Sequence, residues 1–375
     1  MLKNLPNGSK IYLQTLEQEF YQWNETETQD SINVLKQEGI IVLRRPYRPL
    51  GINAVIANAK TLWVLSRIIV FKNIKYVHAW CTTAGVLGFI LSFLWKKTFV
   101  IDSYEPHAEA MVENGSWKRN SIAFSFMRFF ERIETRKASY IIGATYGMKN
   151  YALEKYQIDI KRFYVKPACV NVSQFDYKQP QNNALLEELC LKDKTVMLYA
   201  GKFGGIYYDK EVFEFIKVAS DYFGNNKFRV LLLSNIKETD LQNLCESAGV
   251  IREQIILRFV KHEQIHEYMN LADFAICPVM QVPTKKYCTP VKNGEYWAMG
   301  LPVIIPANIS DDSSIIARHK IGYVWSSPNK EEYLASCKAI QKLLLQDGIR
   351  EKIRKIAFEY RDFDIAQRVY KQIYG

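Results

Sequence analysis

Short apolar, β-branched runs that alternate with longer helical stretches are the strongest constraint on the fold of this chain. In the first half such runs occupy residues 40–43, 76–78, 98–102 and 140–142. Between them, residues 54–71 and 123–137 repeat apolar side chains three and four apart, the period of an α-helix. Strands that alternate with helices form a parallel sheet with helices on both faces. The sequence therefore predicts an α/β fold.

The length and the internal rhythm of the chain predict two domains. A chain of 375 residues exceeds the size at which one hydrophobic core normally stops growing. Residues 166–195 are polar and rich in turn residues, and strands resume at 195–200, 229–233, 255–259, 274–278 and 303–306. We therefore expect a first domain over residues 1–170 and a second over 171–359. The last helical stretch should break at 361–364, and its end, 360–375, should pack elsewhere in the molecule.

Composition points to a folded protein inside the cell. Hydrophobic residues make up 48% and charged residues 24% of the chain, as in ordinary globular proteins. The seven cysteines include no C-x-x-C pair, which favours reduced thiols over disulfides or zinc. Residues 1–10 lack the apolar core of a secretory signal, and the longest apolar run, 84–95, is shorter than the roughly twenty residues of a membrane-spanning helix. We expect a cytoplasmic protein without a transmembrane segment.

The positive charge of the chain suggests an anionic partner. The formal net charge is +11, which suits a nucleic acid, an anionic membrane surface or a phosphorylated substrate. No zinc-finger spacing, RNP-like aromatic pattern or Walker lysine loop is present in the sequence, so nucleic acid is not expected as a partner. A merely soluble basic surface is the alternative.

The segment at residues 287–306, YCTPVKNGEYWAMGLPVIIP, carries the most specific signal for a ligand site. Thr289 suits a helix N-cap, Pro290 the first turn and Gly300 the C-terminal cap, which predicts a helix of about three turns before a buried strand. A helix that begins beyond the carboxyl ends of sheet strands offers free N–H groups to phosphate. Lys292 would add a positive charge there. Glu295, on the same helical face, could accept hydrogen bonds from both hydroxyls of a ribose.

Each part of this signal has an ordinary alternative. Lys292 and Glu295 could simply form an exposed pair three residues apart on a surface helix. A second segment, VMLYAGKFGGIYY at 196–208, ends a strand in glycines that allow close approach of a ligand, and Lys202 could meet a diphosphate. Such a glycine turn is usually just a turn. The loop from Val260 to His262 follows another strand and could contact a base, or it could be an ordinary exposed loop.

In combination these segments resemble the C-terminal half of glycosyltransferases with the GT-B fold, specifically the retaining family 4. That family has a strand with a G-[RK] turn, then A-D-x-x-x-x-P, then P-x-K-x-x-E-Y-x-A-x-G-x-P-V-I. This chain supplies Gly201-Lys202, Ala272-Asp273 to Pro278, and the block from Pro290 to Ile304. The resemblance covers residues 76–306 and a final helix that in such enzymes crosses back to the first domain.

The resemblance implies a GT-B fold, with two Rossmann-like domains that face each other across a cleft. It implies a retaining, hexosyltransferase-like enzyme that needs neither metal ion nor cofactor and takes a UDP- or GDP-sugar as co-substrate. Its donor-binding residues would be Gly201, Lys202, Val260, His262, Thr289, Pro290, Lys292 and Glu295. Its acceptor would be a glycan or lipid-linked glycan, as in bacterial surface polysaccharide synthesis, with peripheral contact to the inner face of the plasma membrane.

The acceptor side is expected in the first domain. Asp102, Glu105 and His107 follow a buried strand and would point into the cleft as catalytic or acceptor-contacting residues, or they could be solvated loop residues. His78 is a rival candidate for this role, or it could be a histidine at the edge of the core that is satisfied by the backbone. Basic and aromatic residues that suit lipid headgroups or phosphorylated acceptors, or form only a solvated face, are Arg44, Arg45, Arg48, Lys118 and Arg119 with Tyr47 and Trp117.

Three departures from the family pattern keep other functions open. Tyr287 stands where the family's E-x7-E motif has its first carboxylate, Asn171 replaces a junction aspartate, and the usual Gly-Gly loop is missing near the N-terminus. The alternatives are a nucleotide-sugar epimerase with the GT-B fold, a catalytically inactive partner subunit of that fold, and a basic RNA-binding protein.

Overall fold

Strands and helices alternate along the whole chain. The structure, a computed structural model, describes residues 9–17, 24–47 and 52–375, except for the side chains of residues 52–54. The elements of the first half are β1 (Ile11–Glu17), α1 (Glu25–Gln37), β2 (Ile40–Pro46), α2 (Ile52–Phe71), β3 (Tyr76–Trp80), α3 (Cys81–Trp95), β4 (Thr98–Tyr104), α4 (His107–Glu113), α5 (Ile122–Lys137), β5 (Tyr140–Gly143), α6 (Gly147–Tyr156) and β6 (Phe163–Val165).

The second half continues the same alternation. Its elements are α7 (Asn183–Glu188), β7 (Thr195–Ala200), α8 (Lys210–Phe223), β8 (Phe228–Leu233), α9 (Glu238–Ala248), β9 (Ile255–Arg258), α10 (Ile265–Met269), β10 (Phe274–Ile276), α11 (Val291–Ala298), β11 (Val303–Pro306), α12 (Asp312–His319), β12 (Gly322–Trp325), α13 (Lys330–Leu344), α14 (Ile349–Arg361) and α15 (Phe363–Tyr374). The predicted α/β fold is confirmed.

The C-terminal sheet is parallel and buried on both faces. Its strands lie in the order β12-β11-β10-β7-β8-β9. The two strands at its centre, β7 and β10, are almost wholly buried, and their runs of apolar residues have little of the alternation that a half-exposed sheet would show. The prediction of a second parallel unit is confirmed.

Different parts of the chain pack against the two faces of the N-terminal sheet. Its strands lie in the order β3-β4-β5-β6 and are parallel. Phe99 and Ile101 pack on one face against the first half's own core, whereas Val100 between them packs on the other with Val369 and Tyr370 of α15. The last helix therefore crosses back to the N-terminal sheet, as the family resemblance implied.

The first two strands lie apart from that sheet. The alternating pattern suggested that residues 40–43 belong to the main sheet. In the described residues, β2 pairs only with β1, as a two-stranded parallel sheet. That part of the prediction is wrong, because an apolar run predicts a strand and leaves its pairing partner open.

The predicted break at residues 361–364 is confirmed. The chain leaves α14 at Asp362, whose side chain caps α15 by accepting the Asp364 N–H at 2.9 Å. The N–H of Val170 donates to the Arg361 carbonyl at 2.8 Å. The buried Arg361 guanidinium contacts Asp312 and the Ala168 carbonyl. The chain connects its two halves twice, near residues 168–170 and near residues 361–362. These two connecting segments therefore lie side by side and are hydrogen-bonded to each other.

Candidate functional site

The candidate site lies where the strand order of the C-terminal sheet reverses. Strands β7 and β10 are neighbours, but the chain proceeds from β7 to β8 in one direction and from β10 to β11 in the other. In such sheets ligands bind in the crevice beyond the carboxyl ends of the strands at this point. The turn after β7 begins with Gly201, and the segment after β10 leads into α11.

The structure brings Gly201 and Lys292 together, although ninety-one positions separate them in the chain. A Cβ atom on Gly201 would stand 2.3 Å from the Nζ of Lys292, and Gly201 has a φ of +152°. The Nζ lies 4.7 Å from the ring centroid of Tyr199 and 4.2 Å from that of Tyr207. Aromatic faces attract cations. Both tyrosines lie in the glycine-turn segment, but sequence reasoning did not single them out as functional residues.

The Lys292 ammonium group is buried without a hydrogen-bond partner in the described part of the chain. Burial lowers its pKa below the ordinary lysine value, and the nearby Glu295 carboxylate opposes that lowering. A buried charge without a hydrogen-bonding counter-ion destabilises the fold. An anion that entered the crevice would pair with the ammonium group and remove this destabilisation. The site therefore favours an anionic ligand.

Helix α11 begins without a side-chain cap. Pro290 is its N-cap residue and the helix has eight residues, so the prediction of a three-turn helix capped by Thr289 is wrong. The Thr289 hydroxyl instead accepts the Ala168 N–H at 2.7 Å, because the segment that joins the halves runs past it. The N–H of Asn293 donates to the Pro290 carbonyl at 3.3 Å, whereas those of Val291 and Lys292 have no acceptor within the described residues and are left for an anion, which the helix dipole attracts. Gly300, with a φ of +70°, follows the end of the helix as predicted.

Glu295 and His262 meet at the rim of the crevice. The Glu295 side chain is only 10% exposed, and its Oε1 lies 2.9 Å from Nε2 of His262. The His262 ring also packs edge-on against Phe175. Val260 packs against the C-terminal core. Phe259 before it is 81% exposed, a ring at this loop that the sequence analysis did not name.

Lys202 lies in the same turn as Gly201 and has an exposed side chain. Its carbonyl oxygen accepts a hydrogen bond from the Tyr199 hydroxyl. Gly204 and Gly205 continue the turn with φ values of +73° and +64°, which favour glycine. The contact of Lys202 with a diphosphate stays a prediction.

On the N-terminal side, Glu105 reaches the segment that leads into α11. Its Oε2 accepts a hydrogen bond from the Cys288 thiol at 3.5 Å, and its Oε1 lies 3.2 Å from Nδ1 of His107. The His107 ring packs edge-on against Trp117. Two of the three acceptor-side candidates therefore lie together, and one of them contacts Cys288, which stands two residues before the N-cap of α11.

The surroundings of Glu105 keep it ionised. Burial alone would raise its pKa, but the hydrogen bond and charge of His107, the Cys288 thiol and the charge of Lys285 together hold the pKa below the usual value. The same burial, together with Glu105, raises the pKa of Cys288 to about 12, so this cysteine stays a thiol. Glu105 is thus a carboxylate that can accept a proton or a hydrogen bond.

Asp102 does not point into the cleft as predicted. It is fully buried, and its carboxylate accepts a hydrogen bond from Tyr370 of α15 at 2.6 Å and pairs with Lys166 at 3.2 Å. Burial opposes its ionisation, but His78, Lys166 and Tyr370 outweigh it and lower the pKa. The alternation of side chains along β4 turns Asp102 toward the returning helix, so we assign it a structural role. His78 belongs to the same cluster, through the Tyr374 hydroxyl.

Tyr287 joins the two halves of the chain. Its ring is buried in the N-terminal core, 5.2 Å from the ring of Tyr151, and a Cβ on Gly147 would stand 3.2 Å from it. Nearby, the Thr284 N–H donates to both carboxylate oxygens of Glu113. The residue that departs from the family motif is therefore part of the contact between the halves.

Three features are missing from the part of the chain that the structure describes. No group of three or more His, Cys, Asp or Glu side chains is placed to hold a metal ion. None of the described helices is long and apolar enough to cross a membrane. The seven cysteines, all of them described, form no disulfide.

Part of the chain matches the model of a known protein family. Residues 187–360 match the family model described as Glycosyl transferases group 1. No curated protein sequence matches the chain.

Solved structures share the whole fold at low sequence identity. HepE from Anabaena, in complex with UDP, is 13% identical with a TM-score of 0.72 over 97% of this chain and 99% of its own. Sucrose-phosphate synthase from Thermosynechococcus elongatus is 13% identical with a TM-score of 0.70 over 97% and 98%. A putative UDP-N-acetylglucosamine 2-epimerase from Listeria monocytogenes is 12% identical with a TM-score of 0.58 over 97% and 96%. The chain therefore has the GT-B fold of these structures, and its residues 187–360 match the model of the glycosyl transferases group 1 family.

Proposed function

We propose that this protein is a retaining glycosyltransferase of the family 4 type that moves a sugar from a UDP- or GDP-sugar without a metal ion. The observation that carries the proposal is the Lys292 ammonium group, which is buried beside Gly201 and the uncapped start of α11 and has no hydrogen-bond partner among the residues that the structure describes. The leaving nucleoside diphosphate develops negative charge, which a fixed cation and a helix N-terminus stabilise. HepE, which shares the fold, was solved with UDP.

In this proposal Glu295 binds the pentose of the donor nucleotide. Its carboxylate lies one helical turn after Lys292 and is held by His262, so it is oriented before a ligand arrives. His262 thus acts in this proposal as a positioning residue. Lys202 would meet the diphosphate from the turn after β7, and the rim at Val260 would receive the base.

In this proposal the acceptor binds on the side of the cleft that faces the donor site. In this proposal residues 1–170 with 360–375 form the acceptor domain, and residues 171–359 form the donor domain. Glu105, with His107 beside it, accepts the acceptor proton or a hydroxyl hydrogen bond. The acceptor is a glycan or a lipid-linked glycan of bacterial surface polysaccharide synthesis, met at the cytoplasmic face of the plasma membrane. Nucleic acid is not a partner in this proposal.

The test is a thermal-shift panel of UDP- and GDP-sugars in the presence of a chelator. The expected result is a rise in melting temperature with one nucleotide class, because a ligand that binds only the folded state stabilises it. Glu295→Ala should abolish that rise, whereas Glu331→Ala, at an exposed position of α13, should keep it. If no nucleotide raises the melting temperature of the wild-type protein, the donor site is wrong and the inactive-partner alternative is favoured.

Incubation of the protein with the donor alone distinguishes the epimerase alternative from the transferase proposal. A nucleotide-sugar epimerase turns its donor over rapidly without acceptor, whereas a transferase needs the acceptor for rapid turnover. The shared fold of the Listeria epimerase makes this control necessary. Rapid conversion of donor alone to an isomer would contradict the transferase proposal.

A further inference from the structure

A tight turn sets the spacing of Glu105 and His107. The His107 N–H donates to the Glu105 carbonyl at 2.8 Å, and Pro106 between them has a φ of −77° and a ψ of 67°, the values of an inverse γ-turn. The Thr82 hydroxyl donates to the same carbonyl at 3.2 Å. Helix α4 begins at His107. The placement of both side chains therefore depends on how this turn and the start of α4 are held.

A buried carboxyl group on α5 holds the start of α4. The Oε1 of Glu131 accepts the Ala108 N–H at 3.0 Å, and its Oε2 accepts the hydroxyl of Tyr156 on α6 at 2.7 Å. Glu131 and Ala108 are both buried. Hydrogen bonds to an ionised carboxylate are about twice as strong as those between neutral groups. Glu131 thus fixes, from inside the protein, the residue that directly follows His107.

The negative charge of Glu131 lowers the stability of the fold. Burial raises the pKa of Glu131 to about 7, although Tyr156, the Ala108 N–H and the charge of His107 each oppose this. The folded-state pKa lies above the unfolded value, so the free energy of unfolding declines as the pH rises from about 4.5 to about 7. A glutamine would fill the same space without this loss. The carboxylate therefore points to a role other than stability.

The titratable groups that face Glu131 come from several elements. They are His107 of α4, Tyr104 of β4, Tyr151 and Tyr156 of α6, and Glu134 of α5 itself. Burial raises the pKa values of the three tyrosines above the ordinary value and that of Glu134 to about 10, with a contribution from the Cys81 thiol of α3. Of these carboxyl and phenol groups, Glu131 is therefore the one whose charge changes near pH 7.

Two of the basic residues that the sequence suggested for an anionic acceptor are paired with carboxylates. Arg119 pairs with Glu109 of α4 at 2.7 Å, and Arg44 pairs with Glu17 at 2.6 Å in the two-stranded sheet. Arg48 lies outside the described residues. Neither pair includes a residue of the turn at 105–107.

We propose that Glu131 is a positioning residue for sugar transfer, whose carboxylate holds the turn that carries Glu105 and His107 in the geometry that meets the acceptor. The inference rests on the proposed function, in which these two residues act on the acceptor. A reacting group that is displaced by about 1 Å can lose about a hundredfold in rate. Glu131 contacts neither donor nor acceptor in this proposal, so its replacement acts through the turn alone.

The first test compares Glu131→Gln with Glu134→Gln in the full chain. Both acids are fully buried on α5, but Glu134 has no hydrogen-bond partner among the described residues. Glu131→Gln should lower kcat about tenfold with the donor KM unchanged, whereas Glu134→Gln should keep the wild-type kcat. At about pH 8 Glu131→Gln should melt no lower than the wild-type protein, because it removes a buried charge. An unchanged kcat in Glu131→Gln, or an equal loss in both variants, would overturn the proposal.

The pH dependence gives a measurement that a purely structural residue would not change. The ratio of wild-type kcat to Glu131→Gln kcat should be about ten at about pH 8 and fall toward one below about pH 6, because protonated Glu131 resembles glutamine. Every other titration is common to both proteins and cancels in the ratio. A ratio that stays constant across this range contradicts the inference.

Tyr156→Phe tests the second hydrogen bond of the carboxylate. It removes the hydroxyl that lies 2.7 Å from Oε2 of Glu131 and should lower kcat in the same direction. The double variant should be no slower than Glu131→Gln alone, because both changes act through one carboxylate. Tyr222→Phe, which removes a hydroxyl bonded to Gln341, is the control and should keep the wild-type kcat. Additive losses in the double variant would show that Tyr156 does not act through Glu131.

Hydrogen exchange separates this inference from the proposed function. Exchange of the backbone amides at residues 105–113 should be faster in Glu131→Gln than in the wild-type protein and unchanged in Glu134→Gln. The nucleotide thermal shift should be the same in all three proteins. Absence of sugar transfer in the wild-type protein would overturn the proposed function, whereas unchanged exchange in Glu131→Gln would overturn this inference by itself.

Discussion

The side chain of Lys292 occupies the space that a Cβ atom on Gly201 would need. The Nζ stands 2.3 Å from that position, and the backbone of Gly201 has a φ of +152°. Glycine at the end of β7 therefore makes room for this buried cation, which has no hydrogen-bond partner within the described residues.

Gly201→Ala should weaken donor binding by displacing this cation. The new methyl group clashes with the Nζ, and the positive φ adds strain of about 1–3 kcal/mol. We expect nucleotide affinity, measured by calorimetry, to fall at least about tenfold. Gly205→Ala is the matched control, because Gly205 also has a positive φ but nothing within 4 Å of its Cβ position. An equal loss of affinity in both variants would show that strain alone is responsible.

Lys292→Met should separate stability from function. Lys292 has no hydrogen-bond partner in the described part of the chain, so removal of its buried ammonium group should stabilise the ligand-free protein by about 1 kcal/mol or more, while the nucleotide thermal shift disappears. The folded-state pKa of Lys292 is lowered, so the wild-type free energy of unfolding should rise as the pH rises toward the ordinary lysine pKa. The variant should lack that part of the pH dependence. Lys338→Met, at an exposed position, should change neither property; a variant of Lys292 that still binds nucleotide contradicts the assignment.

Glu105→Gln should slow transfer without altering donor binding. The change removes the charge that lies between His107 and Cys288, and loss of a general acid or base costs about 10²- to 10⁴-fold in kcat. Steady-state kinetics with saturating donor, together with the nucleotide thermal shift, checks both parts. Glu154→Gln on the exposed side of α6 is the control. A normal kcat in Glu105→Gln would remove this residue from the mechanism.

Asp102→Asn should destabilise the junction of α15 with the N-terminal sheet. It leaves the buried Lys166 without its counter-ion, which should lower the free energy of unfolding by about 3–5 kcal/mol. Asp221→Asn breaks an exposed pair with Lys217 and should cost at most about 1 kcal/mol. Denaturant unfolding measures both variants. Equal effects would mean that Asp102 does not hold the returning helix.

Glu134→Gln should flatten the dependence of stability on alkaline pH. The Glu134 carboxyl is buried without a hydrogen-bond partner among the described residues and fills the space beside Gly85, where a Cβ would stand 2.5 Å from it. Its folded-state pKa of about 10 lies above the unfolded value, so stability is full below about pH 4.5 and declines toward pH 10 by as much as about 1.4 kcal/mol per unit. Chemical unfolding across that range checks the slope. Glu331→Gln should keep the wild-type slope, and so should Glu134→Gln if its carboxyl is ionised in the folded state.

The sequence predicted the alternating fold and the donor-side segments because their signals are local. Apolar periodicity fixes a strand or helix within a few residues, and the glycine and proline positions around residues 290–302 mark where α11 starts and stops. The spacing also placed Lys292 and Glu295 on one helical face. The cap at Thr289 was wrong because its hydroxyl has a partner, Ala168, that only the folded chain brings near.

Contacts between distant segments were decided by the tertiary structure. The sequence does not show that Tyr199 and Tyr207 surround the Lys292 ammonium group, or that His262 holds Glu295. It also placed Asp102 in the cleft, whereas the pleat of β4 and the return of α15 bury it against Tyr370. A residue's type and neighbours fix its chemistry and local conformation, but burial and partners depend on which elements pack against it. Those partners come from parts of the chain that no local pattern connects.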